Sequence, residues 1–160
     1  MSAEVTIGEV PTALDRDIVT RQLGRLPRCD FRIAARHPIS GEPTVIENPP
    51  FLFDGTPMPT RYWLVDAVLS RRIGTLEAAG GVKGAEGDID PEVLADAHRR
   101  YQADRDSLIG DDHAGPRPSG GVGGTRQGVK CLHTHYAWFL AGGDDPVGEW
   151  VQQRLTAASA

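Results

Sequence analysis

RYWLVDAVLSRRIGTLEAAG, residues 61–80, contains the change of hydrophobic period that decides the fold. Arg61 to Val65 alternates like a strand, with β-branched and aromatic residues. From Asp66 onward the apolar positions Val68, Leu69, Ile73 and Leu76 fall at helical spacing, behind an Asp suited to cap a helix and before the Gly80-Gly81 stop. A switch from period two to period 3.6 within one short segment predicts a sheet that ends where helices begin.

Two further strands are predicted upstream. CDFRIAAR, residues 29–36, places Phe31 and Ile33 on one face, and His37-Pro38 breaks it. After the Ser40-Gly41 turn, Thr44, Val45 and Ile46 form the second arm of a hairpin, which Asn48-Pro49-Pro50 ends. The first helix is announced by Thr12-Ala-Leu-Asp15, a hydroxyl with an acid three positions on. Downstream, residues 82–89 read as a polar connector. Asp90-Pro91 starts a helix running to about Ile109, with an inward stripe of Leu94, Ala97, His98, Tyr101, Arg105 and Leu108. Gly110 to Gly128 reads as a long loop, followed by a helix from about Val129 to Leu140 and another after Asp145-Pro146. The expectation is an α+β fold: about five helices packed with a small, antiparallel, three-stranded sheet covered on one face by helices. One domain over 12–155 is expected, with flexible tails at 1–11 and 156–160.

Composition narrows the function classes. A chain of 160 residues can bury a core without disulfides or metal, and 39% hydrophobic with 24% charged residues suits a globular domain. Seventeen basic against 22 acidic residues give a formal charge of −5, which offers no general affinity for nucleic acid or an anionic membrane. Two cysteines, Cys29 and Cys131, make no disulfide framework. No apolar run reaches the ~18 residues of a membrane span. The N-terminus lacks the basic and apolar regions of a secretory leader, so a cytoplasmic location is expected.

The chemistry concentrates in GGVGGTRQGVKCLHTHYAWFLAGGDDPVG, residues 120–148. On a helix Cys131 and His135 share a face and His133 points away; on a strand all three share a face, and the segment favours helix. Thiol and imidazole suit zinc, so Cys131, His133 and His135 are metal candidates, completed from Cys29, His37 or His98. Cys131 in the first turn of its helix, beside Lys130, is also a candidate nucleophile with His135 as base. The plainer alternative is a buried, inert cysteine. Glycines with Arg126, Gly128 and Lys130 ahead of a helix start have the composition of an anion site. The spacing Gly123-x4-Gly128 echoes a P-loop, but Val129 intervenes before Lys130 and Cys131 replaces the hydroxyl residue, so nucleotide hydrolysis is rejected. On the third helix, His98 and Arg105 flank Tyr101 on one face, and burying them requires polar partners.

DGTPMPTRYWLVD (54–66), LEAAG (76–80), AHRRYQADRD (97–106) and GVKCLHTHYAWFLAGGDDPVG (128–148) together resemble the domain of unknown function 501 family of actinobacterial proteins. The resemblance spans about Asp15 to Trp150, the last segment being its most specific part. It implies that Cys131, His133, His98, Tyr101 and Arg105 match the family pattern. It also implies a histidine in relatives where this chain has Trp138 and none at His135, which moves weight from a Cys131–His135 pair to Cys131, His133, His98 and Arg105. Some members carry the label septum formation initiator. Family genes commonly lie near those for such a protein, an exopolyphosphatase and enolase. True initiators have a membrane span and a coiled coil, and this chain has neither pattern.

Two functional readings follow. One is a site, catalytic or binding, for a phosphate-bearing or carboxylate-bearing small molecule, built from Cys131, His133, His98, Arg105 and Tyr101 beside the glycine loop. The other is a non-catalytic adaptor for a protein partner in septum formation or the cell envelope, with those residues as a buried polar network. Geometry separates them: an open pocket favours the first and a closed, fully bonded network the second.

Overall fold

A computed structural model of the chain describes residues 7–158. Helix α1 (Ala13–Leu23) begins as its capping signal predicts: the Asp15 N–H donates to the Thr12 hydroxyl and the Thr12 N–H to the Asp15 carboxylate. Gly24, at φ 73°, closes it in the left-handed conformation that glycine tolerates. Strands β1 (Arg32–Arg36), β2 (Pro43–Glu47) and β3 (Tyr62–Leu64) form one antiparallel sheet in that order. Ile46 is the centre of the register, paired with Ile33 on one side and Trp63 on the other.

The sheet is covered on both faces, not one. Val45, Tyr62 and Leu64 belong to the main core, with Ile73, Leu94, Tyr101, Leu132 and Val151. Ile33 and Ile46 join Phe31, Val65 and Val19 of α1 in a second, smaller core. Alternation along a strand sends successive side chains to opposite faces, so two thin cores need only a three-stranded sheet.

Six α-helices are present among the described residues, the remainder being α2 (Ala67–Ala78), α3 (Gly81–Asp88), α4 (Pro91–Asp106), α5 (Leu132–Leu140) and α6 (Pro146–Ala158). Asp66 caps α2 through the Leu69 N–H, and Asp90 caps α4 through the Glu92 N–H. The added helix is α3, where a polar connector was expected. Its three glycines give weak intrinsic propensity, but packing overrides that. Ala85 is fully buried, and Gly84 lies where a Cβ would meet the Trp150 ring at 3.3 Å. Helix α4 ends at Asp106, so Leu108 lies beyond it and is exposed, outside the inward stripe.

Residues 1–6 of the expected N-terminal tail and residues 159–160 lie outside the described residues. Glu9 pairs with Ile33 as an isolated bridge, and the Gly8 N–H donates to buried Glu47 at 2.7 Å. No helix among the described residues is long and apolar enough to cross a membrane.

Candidate functional site

The predicted polar residues separate into two groups. The first is closed. His98 is buried on α4; its Nδ1 accepts the Val122 N–H at 3.1 Å, and Nε2 lies 2.8 Å from the Gly128 carbonyl. A ring nitrogen that accepts an N–H carries no proton, so Nε2 holds the hydrogen and the ring is neutral. Burial, the largest influence, pushes its pKa down and agrees with that form. Arg105, fully buried, donates to the Pro59 carbonyl at 3.1 Å, the Gly120 carbonyl at 2.9 Å and the Asp106 carboxylate at 3.0 Å. The Tyr101 hydroxyl accepts the N–H groups of Arg61 and Tyr62. These three side chains fasten β3 and the glycine loop to α4, and none lines the cavity beside Cys131.

The loop's composition has a related explanation. Gly121 has no room for a side chain: a Cβ there would meet His98 Cβ at 2.5 Å. The Val129 N–H meets Glu86 at 2.7 Å and the Leu132 N–H meets Glu77 at 3.0 Å. The anions at these two N–H groups are the chain's own carboxylates. Arg126 and Lys130 are exposed, and neither they nor Gly128 lines the Cys131 cavity.

The second group is open. Helix α5 starts at Leu132 rather than Val129, so Cys131 is its N-cap with extended backbone, φ −156°. That geometry reverses the expected facing. Cys131 Sγ lies 3.6 Å from His133 Nδ1, whereas His135, one turn on, is turned into the core. There His135 Nδ1 bonds Asp145 at 2.6 Å, and its ring lies edge-on to His98. A Cys131–His135 pair is therefore absent, because extended backbone at the cap carries the thiol toward position i+2 instead of i+4.

The sequence reading missed a third member, Glu77, in the last turn of α2. Its Oε1 lies 3.0 Å from His133 Nδ1 and its Oε2 takes the Leu132 N–H. A carboxylate near a helix C-terminus is electrostatically unfavourable unless something else holds it, and that was the available signal. Ser70, about two turns back along α2, accepts His133 Nε2–H on its carbonyl at 2.9 Å. Glu77, Cys131 and His133 each present a donor atom, and the three atoms lie within 4.8 Å of one another. Burial is the largest influence on the sulfur and raises a thiol pKa, but the His133 hydrogen bond, the Thr134 backbone contact and the His133 charge together outweigh it and the net shift is down. His133 is pushed up to about 9, first by the Cys131 sulfur and against burial.

Cys131 and His133 line a cavity of about 250 Å³ with Trp63, Leu64, Ser70 and Thr134. A neighbouring cleft of about 460 Å³ shares Trp63, Leu64 and Ser70 with it and adds Arg25 and Arg71. Neither arginine forms an ion pair among the described residues. Trp63, 41% exposed, stands between the two spaces.

Residues 33–153 match the family model described as Protein of unknown function (DUF501). The chain belongs to the DUF501 family. No curated protein and no solved structure matches it. The match runs from β1 into α6, so in this DUF501 chain it takes in the whole Glu77–Cys131–His133 cluster and most of both cores.

Proposed function

We propose that this DUF501 protein is an enzyme acting on a small molecule that carries a carboxylate or phosphate. Cys131, His133 and Glu77 form the reaction centre, and the anionic part of the ligand lies along the cleft at Arg25 and Arg71. One observation carries the reading: of Cys131, His133, His98, Tyr101 and Arg105, it is Cys131 and His133 that line a cavity, and the adjoining cleft holds two arginines without carboxylate partners among the described residues. Unpaired guanidinium groups recognise carboxylate and phosphate through paired N–H donors. Trp63 between them offers a flat apolar surface for the body of the ligand. His98, Tyr101 and Arg105 support the site by holding β3 and the loop against α4.

The test uses p-nitrophenyl acetate and p-nitrophenyl phosphate as probes of acyl and phosphoryl transfer, with native mass spectrometry of the purified chain for a retained ligand. Turnover of either probe that falls at least about tenfold in Cys131→Ser, within the range usual for loss of a reacting group, supports the reading. So does a retained anionic ligand lost in the Arg25→Ala, Arg71→Ala double variant. Wild type indistinguishable from Cys131→Ser on both probes, with nothing retained, overturns it and leaves the adaptor role as the better account.

A further inference from the structure

We propose that Glu77, Cys131 and His133 bind one zinc ion, with its remaining coordination position directed into the Trp63–Ser70 cavity. The inference deepens the proposed enzyme function and rests on the same site, since it names the cofactor that site would use.

The argument begins with donor type. One thiol, one imidazole nitrogen and one carboxylate oxygen form a ligand set suited to zinc, and the hard cations that prefer oxygen alone have no such use for sulfur. Spacing comes next. A tetrahedral zinc with bonds of about 2.3 Å to sulfur and about 2.0 Å to nitrogen or oxygen sets ligand atoms about 3.3–3.5 Å apart. Here the nitrogen lies 3.6 Å from the sulfur and 3.0 Å from the carboxylate oxygen. Two of the three separations are thus close to those a zinc ion sets, and the third, sulfur to carboxylate, lies within 4.8 Å.

Orientation is fixed from outside the cluster. The Ser70 carbonyl takes the Nε2–H of His133 and so turns Nδ1 toward Cys131 and Glu77. The Leu132 N–H takes one oxygen of Glu77 and leaves the other facing His133. Such outer contacts set the tautomer and rotamer of metal ligands. A proton on Nδ1 can bridge to one partner at a time, whereas a divalent ion serves all three donors together. His135, a ligand candidate by sequence, is committed to Asp145 and takes no part.

Three protein ligands leave a fourth position, and zinc sites of that form are the reactive ones. The side available for it is the cavity of about 250 Å³ that Cys131 and His133 line. A water or ligand oxygen bound there would be polarised by the ion.

The test is elemental analysis of the full chain purified without chelator, then cobalt titration of the chelator-stripped protein. About one zinc per chain is expected, as a single three-ligand site gives. Cobalt should produce a near-ultraviolet thiolate-to-cobalt absorption that disappears in Cys131→Ser, and Cys29→Ser should keep both metal and absorption. If Cys131→Ser fails to fold, the cobalt absorption of the wild-type protein, present or absent, decides the matter alone. A metal-free protein that shows no cobalt–thiolate absorption overturns the proposal, as does full zinc in a folded Cys131→Ser. Metal-free protein that still turns over the ester by alkylatable Cys131 removes the zinc and keeps the enzyme; bound zinc with no turnover and no ligand does the reverse.

Discussion

His98 Nε2 stands 2.8 Å from the Gly128 carbonyl while its Nδ1 accepts the Val122 N–H. One neutral ring thus ties Val122 and Gly128 of a glycine-rich segment to α4, and Gly121, next to Val122, packs against the His98 side chain. Gly121→Ala forces a Cβ into the imidazole, and an overpacked site of this kind costs roughly 1–3 kcal/mol. Thermal unfolding measures it, and limited proteolysis near residues 120–128 should quicken. A variant as stable as the parent would mean that the loop does not sit on His98.

The same ring sets a pH dependence. Its folded pKa lies below the ordinary imidazole value because burial disfavours the charged form. Above the unfolded value, about 6.5, both states are neutral and the term is constant. As the pH falls below that value the unfolded chain takes up a proton that folded His98 resists, so stability declines. Between pH about 7.5 and about 5.5 the urea midpoint should shift downward in wild type relative to His98→Gln, because the opposite contribution of His133, whose pKa is pushed up to about 9, is common to both proteins. Equal slopes in the two proteins would assign the effect to other groups.

A second acid-sensitive contact joins α1 to β1. Arg36 donates to both oxygens of Asp15, at 2.9 and 2.8 Å, and this pairing holds the Asp15 carboxyl well below the usual carboxylate range. Because the folded pKa is depressed, the stabilisation is full above the unfolded value of about 3.9 and is lost as the pH falls below it. Asp15→Asn keeps one acceptor oxygen but loses the charge and one of the two bonds from Arg36, and a cost of about 1–3 kcal/mol is expected at neutral pH. Chemical denaturation at pH 7 tests it; a change under a few tenths of a kcal/mol would show the pair to be idle.

What the sequence made legible was local. Thr12, Asp66 and Asp90-Pro91 cap three helices because a cap is decided by residues within one turn, and the strand alternation before Asp66 survives intact. His98, Tyr101 and Arg105 were placed inward by period alone. Glu77 was not found, because it meets the N-terminus of α5 across a separation of 55 positions that no local pattern encodes. Helix α3 was hidden by its glycines, two of which, Gly81 and Gly84, serve close packing against Leu132 and Trp150 rather than a turn. The facing of Cys131 failed for a subtler reason: a start misplaced by three residues converts a helical thiol into an extended one, and period two replaces period 3.6.

Cys131 and Cys29 should differ sharply toward iodoacetamide. Cys29 is 7% exposed, its thiol lies 3.5 Å from Asn48 Oδ1 as donor, and burial pushes its pKa up. The thiolate is the reacting form, so Cys29 is disfavoured by both access and ionisation. Cys131 is only half-buried and its pKa is lowered beside His133, so in metal-free protein it should be alkylated clearly faster than Cys29. Zinc added before the reagent should slow that labelling, because a sulfur bonded to the ion no longer offers its free electron pair. Peptide mass mapping after timed quenching reads both sites in one experiment. Labelling of both cysteines only after denaturant is added would instead identify Cys131 as a packing residue, and the cavity beside it would then have no reactive group from α5 except His133.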